Sequence, residues 1–444
     1  MRAPGVVVAR PAGHARRGGR PGALQRRAPC DQGRAGAVRP RRQPVGRRRQ
    51  NHRTLAGRWT ADLVRNPAAF GAGPGRADRR ACPRPALVRQ GRQAASRGRG
   101  GASGTQADRR SGVSEHPFAV YIRILGKGPN LSRSLTEAEA FAAGRMILAG
   151  EVEPLQLGAF LCLLRVKTES PAEIAGIVRA ARETLVRPSG PPIADLDWPS
   201  YAGKSRRLPW FLLAARLLAG RGVRVLLHGS RDHVPDRMHT ESVLDVMGIP
   251  RVASLADAAS CLARRGIAYL PLECAQPRLN ALLGLRPLLG VRSPLNTALR
   301  QLNPLGAPHQ VIGVAHPSYR DVHRAAAALL GQPNLAVFKG EGGEAERRPE
   351  KPCDVFLLRG GATAQEQFPA LLSGPALATA PPLDPRRLAA VWAGTADDAE
   401  AGACVAGTAA IALLLLGRAS TVDGAESMAR QWWCERQRAE PFAA

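Results

Sequence analysis

Apolar positions between residues 116 and 186 recur with helical spacing and divide into three short helices. Thr136 followed by Glu139 forms a capping box, which predicts that the first helix begins here. A second helix is predicted over 154–166, and Ser170 predicts the N-cap of a third. Helices this short, joined by tight links, predict a small helical domain over 116–186.

From residue 193 onward, short apolar runs typical of buried strands alternate with helical patterns. The predicted strands cover 223–227, 267–270, 310–315, 335–339 and 354–358. The predicted helices cover 209–219, 241–247, 255–264, 319–330, 385–393, 399–416 and 422–436. This alternation predicts an α/β domain with a mainly parallel sheet over 193–440, which follows a proline-marked hinge at 187–192.

The first 115 residues show neither pattern, and they carry most of the charge. They hold 27 arginines and five acidic residues, so they contribute +22 of the formal charge of +29. Too little apolar area is available to offset the entropy of ordering such a chain, which predicts a disordered Arg/Gly/Ala/Pro-rich segment. Three interpretations are open. The segment is a polybasic arm that contacts nucleic acid, a targeting segment, or the translation of GC-rich DNA upstream of a true start near Val113. The composition favours the last interpretation, in which the segment is not native coding sequence.

The apolar run around Ile411–Leu416 is far too short to span a bilayer, and no secretory signal begins the chain. These observations exclude a membrane protein and predict a cytoplasmic one.

Several segments, in order along the chain, resemble anthranilate phosphoribosyltransferase. Residues 134–185 are similar to its N-terminal helical domain, and His228-Gly229-Ser230-Arg231 is similar to its Lys-His-Gly-Asn-Arg motif. Residues 285–296 resemble its V-R-x-x-L-G-x-R-T-x-F-N segment. Residues 339–346 lie where its His-Gly-x-Asp-Gly-x-Asp-Glu segment holds magnesium. The chain is therefore identified as a divergent member of glycosyltransferase family 3.

The resemblance implies a small N-terminal helical domain and a larger α/β domain of the nucleoside phosphorylase and phosphoribosyltransferase type. It also implies a homodimer built through the helical domain. The apolar side chains Leu157, Phe160 and Leu164 are candidates for that interface.

Two departures from the family concern its diphosphate and metal sites. Where the family has a Gly-Thr-Gly-Gly-Asp loop, residues 201–207 read Tyr-Ala-Gly-Lys-Ser-Arg-Arg, so bulky and cationic side chains replace glycines that would cradle diphosphate. The metal-binding Asp-Glu pair is reduced to Ala345-Glu346. Glu344 and Glu346 are the remaining metal candidates, although a simple polar loop is favoured there. No cofactor is therefore expected, and magnesium only if the chain is an enzyme.

The same departures resemble a second branch of the family, whose members are described as binding nucleic acid. The side chains predicted to contact phosphate are Lys204, Arg206, Arg207, His228, Arg231, Arg237, Arg286, Arg292 and Arg300. No catalytic residue is predicted. The favoured hypothesis is non-specific binding of DNA or RNA through a basic groove. The alternative is a phosphoribosyltransferase with an unknown acceptor. A solvated basic loop at 204–207 and a structural His228 are the corresponding structural interpretations.

Overall fold

The computed structural model of the protein describes residues 114–191, 193–231, 237–373 and 383–437. The disordered segment that the sequence predicts over 1–115 lies almost wholly outside these residues.

Four helices form the N-terminal part of the described chain: α1 (Ala119–Gly126), α2 (Glu137–Ala149), α3 (Pro154–Lys167) and α4 (Pro171–Glu183). The Thr136–Glu139 capping box that begins α2 is present, and Ser170 and Glu173 form a second one at the start of α4. Local sequence therefore sets both helix starts.

The apolar side of α3 faces the interior of its own chain. Phe160 and Leu164 are completely buried in one protomer, where Phe160 packs edge-on against Phe118. Neither side chain is available to a second copy, so the prediction that they form a dimer interface is wrong. An apolar stripe on a short helix does not reveal whether its own domain or a partner covers it.

A seven-stranded sheet forms the larger part: β1 (Leu196–Ser200), β2 (Val225–Gly229), β3 (Ile267–Pro271), β4 (His309–Val314), β5 (Asn334–Lys339), β6 (Cys353–Arg359) and β7 (Ala362–Phe368). The strand order is β3-β2-β1-β4-β5-β6-β7. The first five strands are parallel, and β6 and β7 are antiparallel. The predicted α/β class with a mainly parallel sheet is confirmed.

Helices cover this sheet: α5 (Phe211–Ala219), α6 (Leu244–Met247), α7 (Leu255–Arg265), α8 (Leu272–Ala275), α9 (Pro277–Leu283), α10 (Arg286–Leu289), α11 (Leu295–Ala298), α12 (Tyr319–Leu329), α13 (Arg386–Ala393), α14 (Ala399–Leu415) and α15 (Val422–Cys434). The apolar helix α14 is buried along nearly its whole length, where it packs on α5 and α15. Across the described ranges, none of the helices combines the length and apolar character needed to cross a bilayer.

The order of the strands places a crevice at the centre of the sheet. β1 lies between β2 and β4, so the connections run in opposite directions on its two sides. In open parallel sheets, ligands bind outside the carboxyl ends of the strands at such a switch point. The loop that follows β1 and the segment that follows β5 both lie at this edge.

Candidate functional site

The loop after β1 forms an anion-binding nest. The backbone N–H groups of Ala202 and Gly203 both donate to Oε1 of Glu344, each at 2.7 Å. Gly203 adopts a left-handed backbone with φ of +67°, a conformation that side chains disfavour. Successive N–H groups that converge in this way bind anions. Here the anion is a completely buried carboxylate of the chain itself.

Glu344 reaches the nest because a glycine in β4 leaves room for its backbone. A Cβ atom at Gly313 would lie 2.1 Å from the carbonyl carbon of Glu344, which no real contact permits. The segment after β5 therefore packs directly against β4, and its side chains enter the crevice beside β1.

Lys204 is buried in the same crevice between two carboxylates. Its Nζ lies 2.5 Å from Oε1 of Glu346 and 3.1 Å from Oε2 of Glu341, and its side chain has no exposed surface. Burial alone lowers the pKa of Lys204, but the Glu346 and Glu341 carboxylates outweigh this effect and raise that pKa above its ordinary value. The predicted phosphate contact of Lys204 is therefore wrong, and the alternative of a solvated basic loop does not fit Lys204 either.

The amino end of α5 is also occupied by the chain's own acid. The N–H group of Phe211 donates to Oε2 of Glu346 at 2.9 Å. A helix N-terminus stabilises negative charge, and here Glu346 takes the place of an external anion. Neither Glu344 nor Glu346 lies in a plain polar loop, so that favoured interpretation of the segment is wrong too.

Arg207 is neutralised as well. Its guanidinium lies 3.3 Å from Glu350 and 2.8 Å from Glu400, and only 19% of its side chain is exposed. These acids compete with any phosphate for the same donors, so Arg207 is not the open phosphate contact that the sequence predicts.

His228, the last residue but one of β2, belongs to a buried hydrogen-bond network. Its Nδ1 lies 2.9 Å from the Tyr201 hydroxyl, and its Nε2 lies 3.2 Å from Oδ2 of Asp197. Gln310 in β4 donates to the same Asp197 oxygen at 2.6 Å. Because His228 is 1% exposed, it ties β1, β2 and β4 together rather than contacting phosphate. The prediction of a phosphate contact is wrong, and the structural interpretation fits.

Arg300 donates hydrogen bonds to backbone carbonyls that line the crevice. It is 5% exposed, and its Nη1 donates to the carbonyls of Gly313 at 2.9 Å and Gly343 at 2.6 Å. Burial lowers the pKa of Arg300 to about 10, and nearby Arg292 adds to this effect. Without Arg300, the buried carbonyls of Gly313 in β4 and Gly343 in the segment after β5 would lose a donor. The prediction that Arg300 contacts phosphate is therefore wrong.

Other predicted cations lie nearer the surface. Arg206 is exposed, Arg231 is exposed and lies 3.1 Å from Glu241, and Arg237 donates to the Ala202 carbonyl at 2.7 Å. Arg286 and Arg292 are half-buried, and Arg292 approaches Oδ1 of Asn296 at 3.5 Å.

Lys339, an exposed cation at the same edge, is not among the phosphate contacts that the sequence predicts. Lys339 is the last residue of β5, and its position at the carboxyl end of a predicted strand was the available signal. We call Arg206, Arg231, Arg237 and Lys339 the cationic rim, because each follows or ends a strand at the carboxyl edge of the sheet. Among the described residues, no group of three His, Cys, Asp or Glu side chains is arranged to hold a metal ion.

Comparison with known proteins places this geometry in a family. Residues 120–185 match the glycosyl transferase family, helical bundle domain. Over 310 residues the chain is 32% identical to the anthranilate phosphoribosyltransferase of Moorella thermoacetica, an alignment that covers 66% of this chain and 88% of that protein. The chain belongs to the anthranilate phosphoribosyltransferase family. A second family member, from Desulfitobacterium hafniense, is 31% identical over 248 residues and is covered to 72%.

Solved structures of the family share the fold. The anthranilate phosphoribosyltransferase of Thermus thermophilus superimposes with a TM-score of 0.59 at 23% identity, over 72% of this chain and 94% of that one. The Saccharomyces cerevisiae enzyme, in complex with phosphoribosyl pyrophosphate (PRPP) and Mg, superimposes with a TM-score of 0.60 at 16% identity, over 73% and 95%. At these identities the likeness concerns the fold alone.

Proposed function

We propose that this chain is a non-catalytic, cytoplasmic member of the family that binds DNA or RNA non-specifically along the cationic rim. The observation that carries the proposal is the Glu344 carboxylate in the nest at the switch point. A ligand diphosphate placed there would have to displace a carboxylate held by two short hydrogen bonds. It would also meet the negative charge of that carboxylate, in a setting where like charges repel strongly.

The residues present do not fit a bound Mg²⁺ either. In the family motif the metal is held by an Asp-Glu pair, of which Glu346 is the remaining member. Both of its oxygens are engaged, one by the Lys204 ammonium and the other by the N–H group of Phe211. For a donor substrate that needs a metal ion, Lys204 therefore occupies the place of the metal and Glu344 occupies the nest.

The rim supports a polyanion as the ligand. Arg206 and Lys339 are exposed, and the side chain of neither forms an ion pair or hydrogen bond with another residue of the described ranges. Arg231 keeps most of its surface while it faces Glu241. Cations of this kind neutralise phosphates without reading bases, which suits non-specific nucleic acid.

Exchanging rim cations for acids tests the proposal. In a chain without residues 1–113, whose arginines bind DNA regardless of the fold, Arg206→Glu/Lys339→Glu should weaken binding to every sequence alike. Each lost phosphate contact removes about 0.9 from the slope of log K against log salt, so the slope should flatten by about two units. Fluorescence anisotropy with labelled duplex DNA and single-stranded RNA, over a salt series, measures both effects.

A matched exchange elsewhere gives the control. Arg264 and Arg265 are exposed at the end of α7, before β3, and so lie at the opposite edge of the sheet. Arg264→Glu/Arg265→Glu changes the net charge equally and should leave the slope almost unaltered. Equal effects of the two exchanges would show that binding is diffuse and not centred on the rim. No retention of DNA or RNA by the unaltered chain at low salt would refute the proposal.

A second candidate function is a phosphoribosyltransferase that uses an unknown acceptor. It is favoured by the 32% identity to the Moorella thermoacetica enzyme over 88% of that enzyme's length. It requires Glu344 and Lys204 to leave the crevice when substrate binds.

We also propose a homodimer through the outer face of α3. Leu155 and Val166 are 89% and 84% exposed. With Ala159 and Cys162 they follow a spacing of four, three and four residues, which places them on one side of the helix.

Leu155→Glu/Val166→Glu should therefore yield a monomer in sedimentation velocity at concentrations where the unaltered protein is a dimer. Val186→Glu, at an 88% exposed apolar residue outside α3, serves as the control. A dimer that persists in the double variant would move the interface to another surface.

A further inference from the structure

We infer that Lys204 is the permanent counter-ion of the Glu341–Glu346 carboxylate pair and that its ammonium excludes divalent metal ions from this crevice. The inference concerns the same crevice as the proposed function, and it stands whether or not nucleic acid binds at the rim.

The first step is the position of the ammonium. Nζ of Lys204 lies 2.5 Å from Glu346 and 3.1 Å from Glu341, so it stands between the two carboxylates. A Mg²⁺ ion would need oxygen ligands at about 2.0–2.1 Å in octahedral order, and it usually takes one or two carboxylates together with waters. An ammonium at hydrogen-bond distance from both carboxylates occupies the space that such an ion and its waters require.

The second step is that the lysine is held in place. Residues 202–204 are fixed at both ends of the short loop, since Ala202 and Gly203 donate to Glu344 while Lys204 exchanges two backbone hydrogen bonds with Met238. With this backbone fixed, the side chain cannot turn out to solvent without leaving the buried Glu346 carboxylate without its cation. Leaving a buried charge unpaired is strongly unfavourable, so the ammonium remains in the crevice.

The third step is that the pair keeps an oxygen for an entering cation, since Oε1 of Glu341 is buried without a hydrogen-bond partner among the described residues. Glu346 uses its other oxygen for the N–H group of Phe211, and Glu341 also faces Arg207 at 4.0 Å. Positive charge already surrounds the pair. Removing the Lys204 ammonium should therefore turn the pair into a site that a small divalent cation can enter.

Titration with Mn²⁺, followed by the loss of its free electron paramagnetic resonance signal, tests this on the full chain, because arginines do not bind the ion. The unaltered protein should bind no Mn²⁺ in the crevice. Lys204→Ala should gain one Mn²⁺ site per chain, because the two carboxylates then face a space that the ion and its waters can enter. The same site should vanish in Lys204→Ala/Glu346→Gln. Arg206→Ala removes one cation from the same loop without emptying the crevice, and it should gain nothing.

Lys204→Ala is expected to melt at a lower temperature, because it leaves two carboxylates unbalanced, and Mn²⁺ should restore part of the loss. Lys204→Gln, which fills more of the space without charge, is the second variant should the first not fold. A folded variant at position 204 that binds no Mn²⁺ overturns the inference. So does an unaltered protein that binds one Mn²⁺ and loses it in Glu346→Gln, a result that needs no variant of Lys204.

Discussion

The purified protein should convert anthranilate and PRPP at a rate at least about 10³-fold below that of its Moorella thermoacetica relative. Preorganised donors around a developing charge are worth about 10²–10³ in rate each, and here the two N–H donors of the nest already hold Glu344. The crevice also holds Lys204 where a metal would have to bind. Loss of anthranilate fluorescence in the presence of PRPP and Mg²⁺ measures the rate for both proteins side by side.

Turnover within tenfold of the relative would favour the transferase as the function and would show that Glu344 and Lys204 move aside for substrate. Glu344→Gln separates the two obstacles, because it removes the charge from the nest and keeps the shape of the side chain. We expect no activity from this variant, since Lys204 remains between Glu341 and Glu346. A large gain would identify Glu344 as the only barrier.

The parts of the fold that depend on local signals could be predicted from the sequence. The capping boxes at Thr136 and Ser170 begin helices where the pattern predicts them, because a cap needs only residues three apart. Strand β1 was not among the strands read from the pattern, since Pro199 argues against a central strand. The structure accommodates it because the pairing of β1 with β4 involves only Leu196 and Asp197, so the second half of β1 is paired on one side.

Strand β7 escaped prediction for a different reason. Its side chains are almost all exposed and polar, so it lacks the apolar alternation of a half-buried strand. Gly360 and Gly361, both with positive φ, form the tight turn that pairs β7 with β6. Two adjacent glycines between extended segments are typical of a hairpin turn, and β7 could have been predicted from them.

The candidate site could be located from the sequence but not described. The resemblance places residues 201–207 at the diphosphate loop of the family and residues 339–346 at its metal segment. Lys204, however, meets Glu341 and Glu346 across 137 and 142 residues of chain. Charge along a loop does not reveal such distant partners, so Lys204 and Arg207 resembled an open phosphate site. The packing of the segment after β5 against Gly313 brings Glu341 and Glu346 to Lys204, and α14 brings Glu400 to Arg207.

Arg347, the neighbour of Glu346 in the chain, should prove the most costly ion-pair residue to replace. Its side chain is completely buried, its Nη1 lies 2.8 Å from Oε1 of Glu426 in α15, and it donates to the Pro369 carbonyl. It also lies over the ring of Phe368, so it anchors the site segment to β7 and to the C-terminal helices. Arg347→Met leaves the buried Glu426 without its main partner and should lower the free energy of unfolding by about 3–5 kcal/mol, measured by urea denaturation.

Replacing both members of the pair distinguishes a lost partner from lost packing. Arg347→Met/Glu426→Leu removes the stranded carboxylate and should regain most of the stability, because apolar side chains of similar size often replace a buried ion pair without cost. Arg386→Ala, which breaks an exposed pair with Asp384, should leave the urea midpoint unaltered. A fall of less than about 1 kcal/mol in the free energy of unfolding of Arg347→Met would contradict the prediction. It would show that Arg430, 3.4 Å from Glu426, suffices as the partner of that carboxylate. A double variant no more stable than the single one would instead assign the loss to packing against Phe368.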